Sequence, residues 1–329
     1  MKAMKDLKAW QSAKSKVLQT TCYFHVGGFI MPFEGMLKPS GFIFNHGQDI
    51  DDNAELTACD ILYKEIDHFK PLTIICGSHH LVLLSFNPPS DKSLDLSSVT
   101  VVAPMGSTVP HSLYDNLKPC FPKLMFVHLG YGMTEIGTTV ARSTDPRALG
   151  EISKDVLVKL VDPETGTLCG PNEVGEIMVK VLRGNVTKGY LNRPEENKKF
   201  FADDGYVHTG DLGHYDSNGL LYFEGRLKEL IKYKNCHMYP MEIENVINSH
   251  PGVAESAVFG KPDPTVQELV TAAVVKVEGA KVTEDDIANL VSMNVDDAKK
   301  LRGGVIFVDK LPKNPQGKIL RRKLLELCQ

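Results

Sequence analysis

Leu124-Met125-Phe126-Val127-His128-Leu129-Gly130-Tyr131-Gly132-Met133-Thr134-Glu135 sets an apolar run directly against a glycine-rich turn. Residues 124–129 read as a buried strand bounded by Pro122 before and Gly130 after. Glycines at 130 and 132 let the backbone turn sharply and approach a ligand closely, because neither carries a Cβ. Thr134 offers a hydroxyl to a phosphate oxygen. Glu135 offers a carboxylate to Mg2+, a hard ion that takes oxygen ligands. Tyr131 adds an aromatic face for a base. The next glycine, Gly137, comes too late for the G-x-G-x-x-G fingerprint of dinucleotide sites. A tight strand-to-loop turn without a ligand is the plain alternative at this level.

Upstream of this stretch, helices and apolar strands alternate. Ala58, Ile61, Leu62, Ile66 and Phe69 fall near a three-to-four spacing, which predicts a helix over residues 55–70 that Pro71 stops. Residues 72–77 and 99–103 read as short buried strands, with turn chemistry at Pro104-Met105-Gly106 and a helix over 112–117. The alternation predicts an α/β large domain with a layered sheet. Downstream, strand-like runs at 156–161, 176–181 and 220–223 are separated by turns such as Asp216-Ser217-Asn218-Gly219. That is the material of a distorted antiparallel barrel. Beyond Arg226 lies a small α+β region, with helices over 240–248 and 284–292 and strands at 257–259, 272–277 and 305–308. The charged stretch at residues 226–228 is the expected boundary, giving domains 1–227 and 228–329.

Composition narrows the function classes. A chain of 329 residues is long enough for two domains. A net charge of -4 gives no basic footprint for nucleic acid. The 7 cysteines are scattered without a C-x-x-C pair, which argues against a disulfide framework or zinc cluster and for a reducing compartment. The apolar runs at 26–33 and 81–86 are too short to span a bilayer. Residues 1–20 lack the apolar core of a secretory signal, and Leu327-Cys328-Gln329 is not a peroxisomal tripeptide, so a cytoplasmic location is expected. His208, Asp211 and His214 share a three-residue spacing, but Gly210 and Gly213 argue against a helix presenting them to one metal. No G-x-S-x-G elbow occurs. Gly317-Lys318 is not a Walker motif, since Ile319 follows it and Pro312 stands where a glycine is needed.

Several motifs then follow in order. Gly130 to Glu135 comes first, then Tyr206-Val207-His208-Thr209-Gly210-Asp211, then Gly225-Arg226-Leu227-Lys228-Glu229-Leu230-Ile231-Lys232-Tyr233-Lys234. Residues 298–309 and Leu311-Pro312-Lys313-Asn314-Pro315-Gln316-Gly317-Lys318 close the series. Together they resemble the adenylate-forming superfamily, in the branch of acyl-CoA synthetases, 4-coumarate–CoA ligases and insect luciferases. The resemblance implies ATP-dependent joining of a carboxylic acid to coenzyme A through an acyl-adenylate. It implies that Thr134 and Glu135 hold phosphate and Mg2+, and that Asp211 and Arg226 hold the ribose of AMP. A carboxylate suits the ribose because it accepts two hydrogen bonds at once. Lys318 is implied as the catalytic lysine that supplies positive charge to the α-phosphate. Lys228 takes the hinge position about which a mobile C-terminal domain turns. Lys232 and Lys234 lie on the face brought in for the second half-reaction, with Lys234 and Asn235 toward coenzyme A. Asn235 departs from the family's usual glycine, although Asn tolerates a left-handed backbone. Gly106 and Ser107 align with an adenine-contacting loop. His25, in Tyr23-Phe24-His25-Val26-Gly27-Gly28-Phe29, is implied near the acyl substrate, a fatty or aryl acid; by its own residues it reads equally as a core histidine.

One family element is missing from the expected order. No Ser/Thr/Gly-rich phosphate loop ending in Lys-Gly occurs between Met1 and Cys22. The resemblance therefore implies a large domain without its N-terminal part, poor grip on the β- and γ-phosphates of ATP, and an uncovered sheet edge for a protein partner. A non-catalytic module that binds AMP, an acyl ligand or a protein is the alternative.

Overall fold

The computed structural model describes residues 16–20, 41–44, 58–106, 112–145, 147–184, 186–234, 236–314 and 318–326. His25, Ser107 and Asn235 lie outside the described residues. The chain divides into two compact units, one of residues 1–130, 144–146 and 315–318, the other of 131–143, 147–314 and 319–329.

The first unit is a parallel sheet with helices. Its strands are β1 Lys16–Gln19, β2 Gly41–Phe44, β3 Thr73–Gly77, β4 Val101–Met105 and β5 Phe126–Val127, in the order β2-β1-β3-β4-β5. Helices α1 Ala58–Phe69, α2 Ser78–Phe86 and α3 Ser112–Leu117 alternate with them. Thr73, Ile74, Ile75 and Cys76 of β3 are all buried, as a parallel strand covered on both faces requires. Helix α1 turns Leu62, Tyr63 and Ile66 onto Ile74, Cys76 and Val102. Lys70, at φ 50, leaves the helical region before Pro71 and ends the helix with its N–H on the Ile66 carbonyl at 2.9 Å. The Tyr63 hydroxyl donates to the Asn87 carbonyl at 2.9 Å, so the largest side chain of this core carries its polar atom satisfied.

The rest of the chain forms three sheets. Strands β6 Leu129–Gly132, β7 Thr139–Ser143 and β8 Glu151–Ile152 form the first. Strands β9 Val156–Val161, β10 Gly175–Val181, β11 Val207–Tyr215 and β12 Leu221–Arg226 form an antiparallel sheet in the order β12-β11-β10-β9, and α4 Pro194–Phe200 precedes β11. Strands β13 Ile231–Tyr233, β14 Cys236–Met238, β15 Val253–Asp263 and β16 Gln267–Lys276 form the third, in the order β14-β13-β16-β15, with β17 Val305–Phe307 parallel to β16. Helices α5 Pro240–Asn248, α6 Glu284–Asn294 and α7 Arg321–Leu325 complete it. Pro240 opens α5, where its missing N–H costs nothing, and Thr283 caps α6 in a box with Asp286.

The α/β expectation is borne out, with local differences. Residues 78–86 form a helix, not only an apolar stretch; the run Leu81-Val82-Leu83-Leu84 has no polar face to betray its period. The strand expected over 124–129 breaks at His128 and resumes through Gly130-Tyr131-Gly132, so the glycine motif begins as a strand. The short strand expected at 257–259 is the middle of the long hairpin arm β15, which runs on through Gly260 and Pro262. No helix among the described residues is long and apolar enough to cross a membrane.

Candidate functional site

Strand β11 bends where the site is built. Its register against β10 shifts between Glu176 and Met178, and Gly210 sits at φ 69, a left-handed backbone that favours glycine. The Glu176 carboxylate fills the bend. Its Oε1 accepts the Gly210 N–H at 3.0 Å, and its Oε2 lies 2.9 Å from His208 Nδ1. Thr209 donates its hydroxyl to the Ile177 carbonyl at 2.6 Å and accepts the Asp211 N–H at 3.1 Å. Each residue of His208-Thr209-Gly210-Asp211 is thereby fixed by a bond to β10 or to its own loop.

That fixing aims Asp211. Asp211 pairs with Arg226 across β11 and β12, so both side chains leave the same face. Arg226 Nε lies 3.2 Å from Asp211 Oδ1, and the Tyr131 hydroxyl donates to Asp211 Oδ2 at 2.9 Å. Tyr131 comes from β6, eighty positions earlier. Burial and then the neighbouring Asp211 carboxylate push the Tyr131 phenol well above its usual range, so it stays a donor. The Asp211 side chain is 6% exposed and that of Arg226 36%, so Arg226 faces the solvent side of the pair.

Thr134 and Glu135 lie on the turn that leaves β6. The Ile136 and Gly137 N–H groups donate to the Met133 carbonyl at 3.1 and 3.3 Å, closing the turn, and Gly137 takes φ 69. A Cβ on Gly132 would stand 2.7 Å from the Thr138 carbonyl oxygen, so only glycine fits there. Thr134 is exposed. Glu135 is held at both ends: its carbonyl accepts the Thr187 N–H at 2.7 Å, and its Oε1 accepts the Tyr190 hydroxyl at 2.7 Å. Tyr190 is itself locked, its backbone N–H and carbonyl both bonded to the Asn197 amide. Burial and the bond to Glu135 push its phenol up to about 12. One protein carboxylate is the usual share for Mg2+, which takes the rest of its shell from phosphates and water, so Glu135 fits that role. Among the described residues no group of three or more His, Cys, Asp or Glu could hold a metal.

The remaining expected residues distribute as follows. Gly106 follows β4 in the first unit at φ 105, exposed just past the carboxyl end of the strand. Gly130 also belongs to the first unit, and so does Lys318. Lys228 is exposed in a single 3-10 turn, Leu227–Glu229, between β12 and β13. Lys232 and Lys234 alternate with buried Ile231 and Tyr233, so both lie on the wet face. Lys234 takes φ 46 and lies 5.3 Å over the Tyr233 ring. The structure thus brings Tyr131, Asp211 and Arg226 together, with Thr134 and Glu135 on the continuation of the Tyr131 strand. Glu176, which bonds Gly210 and His208 beside Asp211, and Tyr190, which bonds Glu135, did not stand out in the sequence. A Glu heading the apolar run Ile177-Met178-Val179 was the one available signal for the first.

Comparison with known proteins identifies the family of the chain. The family model described as AMP-binding enzyme matches residues 1–191, and the AMP-binding enzyme C-terminal domain matches 242–318. Luciferin 4-monooxygenase of Photuris pensylvanica is 39% identical over 253 residues, covering 75% of this chain and 46% of that protein. 4-Coumarate–CoA ligase 1 of Oryza sativa subsp. japonica is 38% identical over 249 residues, covering 71% and 43%. The chain therefore spans about half the length of the curated relatives it matches. Among solved structures, ATP-bound MatB from Rhodopseudomonas palustris superposes with a TM-score of 0.83 at 26% identity, over 99% of this chain and 63% of that one.

Proposed function

The chain belongs to the AMP-binding enzyme family, and on that premise we propose that it carries the AMP-and-hinge portion of a ligase joining a carboxylic acid to coenzyme A through an acyl-adenylate. The observation that carries this reading is the Tyr131–Asp211–Arg226 cluster. A carboxylate held by a phenol on one oxygen and a guanidinium on the other is fixed in orientation, and a carboxylate is the group that accepts two ribose hydroxyls at once. Arg226, on the solvent side of the pair, adds a donor fork beside the nucleotide.

The other roles follow from chemistry and position. Thr134 offers its exposed hydroxyl to phosphate, and Mg2+, when bound at Glu135, neutralises phosphate charge. Lys318 supplies positive charge where it develops on the α-phosphate as the acid attacks and pyrophosphate leaves. A thiol, that of coenzyme A, then displaces AMP, with Lys232, Lys234 and Asn235 on its side and His25 near the acyl group. Lys228 is the hinge between a domain of residues 1–227 and one of 228–329. The acid is fatty or aryl, the setting cytoplasmic, and a further polypeptide segment supplies the triphosphate grip and covers the edge of the first sheet.

Carboxylate-dependent exchange of pyrophosphate into ATP, with Lys318→Ala as control, tests the reading. Exchange that the substitution abolishes is the expected result. No exchange with AMP still bound in calorimetry leaves a non-catalytic AMP-binding module. Loss of AMP binding in the unsubstituted chain sinks the assignment of Asp211 and Arg226.

A further inference from the structure

Arg321, Arg322 and Lys323 read in sequence as one basic cluster, but the structure separates them. Arg322 and Lys323 are exposed, while the Arg321 side chain is 20% exposed. Its guanidinium spans three elements. Nε donates to Glu229 Oε2 at 3.0 Å in the turn beside Lys228, Nη2 to Glu244 Oε2 at 3.2 Å on α5, and Nη1 to the Val258 carbonyl at 3.0 Å on β15. Glu244 Oε1 in turn accepts the Val258 N–H at 2.7 Å, which closes the network on β15. A planar fork that meets two carboxylates and a carbonyl is a task for Arg that Lys cannot reproduce.

Described residues on either side of Lys318 pair beside this anchor. Lys313 and Ile319 form an antiparallel bridge, and the Leu320 N–H donates to the Pro312 carbonyl at 2.8 Å. On the entering side Lys313 Nζ pairs with Glu255 Oε1 of β15 at 2.6 Å. On the returning side Ile319 and Leu324 pack with Leu311 against Ala257, Phe259 and Ala273. Position 313 before Lys318 and position 321 after it are thus both tied to β15, the first by an ion pair and the second by a hydrogen bond to the Val258 carbonyl.

We infer that Arg321 is a positioning residue for Lys318, fixing the returning foot of the lysine loop to the hinge turn, α5 and β15. The inference rests on Lys318 having the role proposed above. Because the anchor serves the loop and not the thiol face of β13, its loss separates the two half-reactions. It also acts through Lys318, so its effect vanishes where that lysine is already gone.

The test compares Arg321→Met, Arg321→Lys, Lys318→Ala and the Met/Ala double variant of the full chain. The readouts are ATP–pyrophosphate exchange and conversion of supplied acyl-adenylate with coenzyme A. Expected are a loss of at least ~10-fold in kcat for exchange in both Arg321 variants, a change below ~2-fold in the thiol step, and a double variant no worse than Lys318→Ala. Equal losses in both steps, or additive losses in the double variant, overturn the inference and leave Arg321 as a fold-stabilising residue. If the unsubstituted chain turns over neither step, the functional reading fails and the positioning claim is judged separately. Labelling of the Lys318 amine by a water-soluble N-hydroxysuccinimide ester, followed by peptide mass spectrometry, is then expected to change at least ~3-fold in Arg321→Met while Lys198 on α4 is unchanged. Unaltered Lys318 labelling overturns the claim.

Discussion

Replacing Glu176 with alanine is expected to release the bend that aims Asp211. The Glu176 side chain is 9% exposed and meets the Gly210 N–H at 3.0 Å and His208 Nδ1 at 2.9 Å. A hydrogen bond to a charged acceptor contributes roughly 1.5–3 kcal/mol when its partner is buried. The His208 side chain is 39% exposed and recovers water when Glu176 is cut away, so little of that second bond is lost for good. The Gly210 N–H is part-buried in the bend and recovers less. A local cost of about 2 kcal/mol follows, most of it from one stranded donor. Since every 1.4 kcal/mol is tenfold, hydrogen exchange in peptides over residues 205–215 should speed up by about 30-fold, measured by mass spectrometry. AMP affinity should fall by about tenfold or more in calorimetry, because Asp211 follows Gly210 directly. Glu176→Gln keeps one oxygen for the Gly210 N–H and should lose about 1 kcal/mol at most. Alanine exchanging like the unsubstituted chain, or Gln and Ala behaving alike, would refute the claim that this carboxylate holds the bend.

Tyr190→Phe removes the donor from Glu135 Oε1 and should cost about 0.5–1 kcal/mol in urea unfolding near pH 8. The Tyr190 phenol is raised to about 12, so its contribution is complete below pH ~10 and is lost as pH climbs toward 12. The Phe variant should show no such loss, and an unchanged alkaline limb refutes the bond. Asp95 runs the other way: the Ser97 hydroxyl and N–H, then Lys70, lower its carboxyl to about 2. Its contribution is complete above pH ~4 and is lost as pH falls toward 2, so Asp95→Asn should give a shallower acid limb in circular dichroism.

The layered sheet was legible because parallel strands declare themselves as unbroken apolar runs. Residues 73–76 and 101–104 are buried without exception, and that is how Leu72-Thr73-Ile74-Ile75-Cys76 and Val99-Thr100-Val101-Val102-Ala103 read. Helix α1 was legible for the complementary reason, its buried Leu62, Tyr63 and Ile66 recurring one turn apart. Helix α2 was hidden by its uniformity, since period is visible only where polar and apolar residues alternate. The arms β15 and β16 were seen in fragments. Gly260 and Pro262 are breakers in a sequence window, yet in the structure both lie in register with β16, opposite Val270 and Glu268. Nine consecutive cross-strand pairs, from Glu255 to Asp263, outweigh two unfavourable local preferences.

At the candidate site, Asp211 and Glu135 stood out in the sequence and the residues that aim them did not, and the asymmetry has a physical cause. Asp211 and Glu135 must be particular chemical types in particular local backbones, so glycines and hydroxyls crowd around them in sequence. Their supports act through space alone. Tyr190 reaches Glu135 from fifty-five positions away, Glu176 reaches Gly210 from thirty-four, and Arg321 reaches Glu229 from ninety-two. Nothing in the neighbourhood of a supporting residue needs to be special, because only its far end is constrained. Arg321 shows the limit of such reading. Its sequence context is Leu320-Arg321-Arg322-Lys323, in which the central pair is chemically identical, yet one guanidinium is locked into a four-bond network and the other lies in solvent. Only the direction in which α7 presents its first residue distinguishes them, so a substitution scan across 321 and 322 should find all of the effect on Lys318 at the first position.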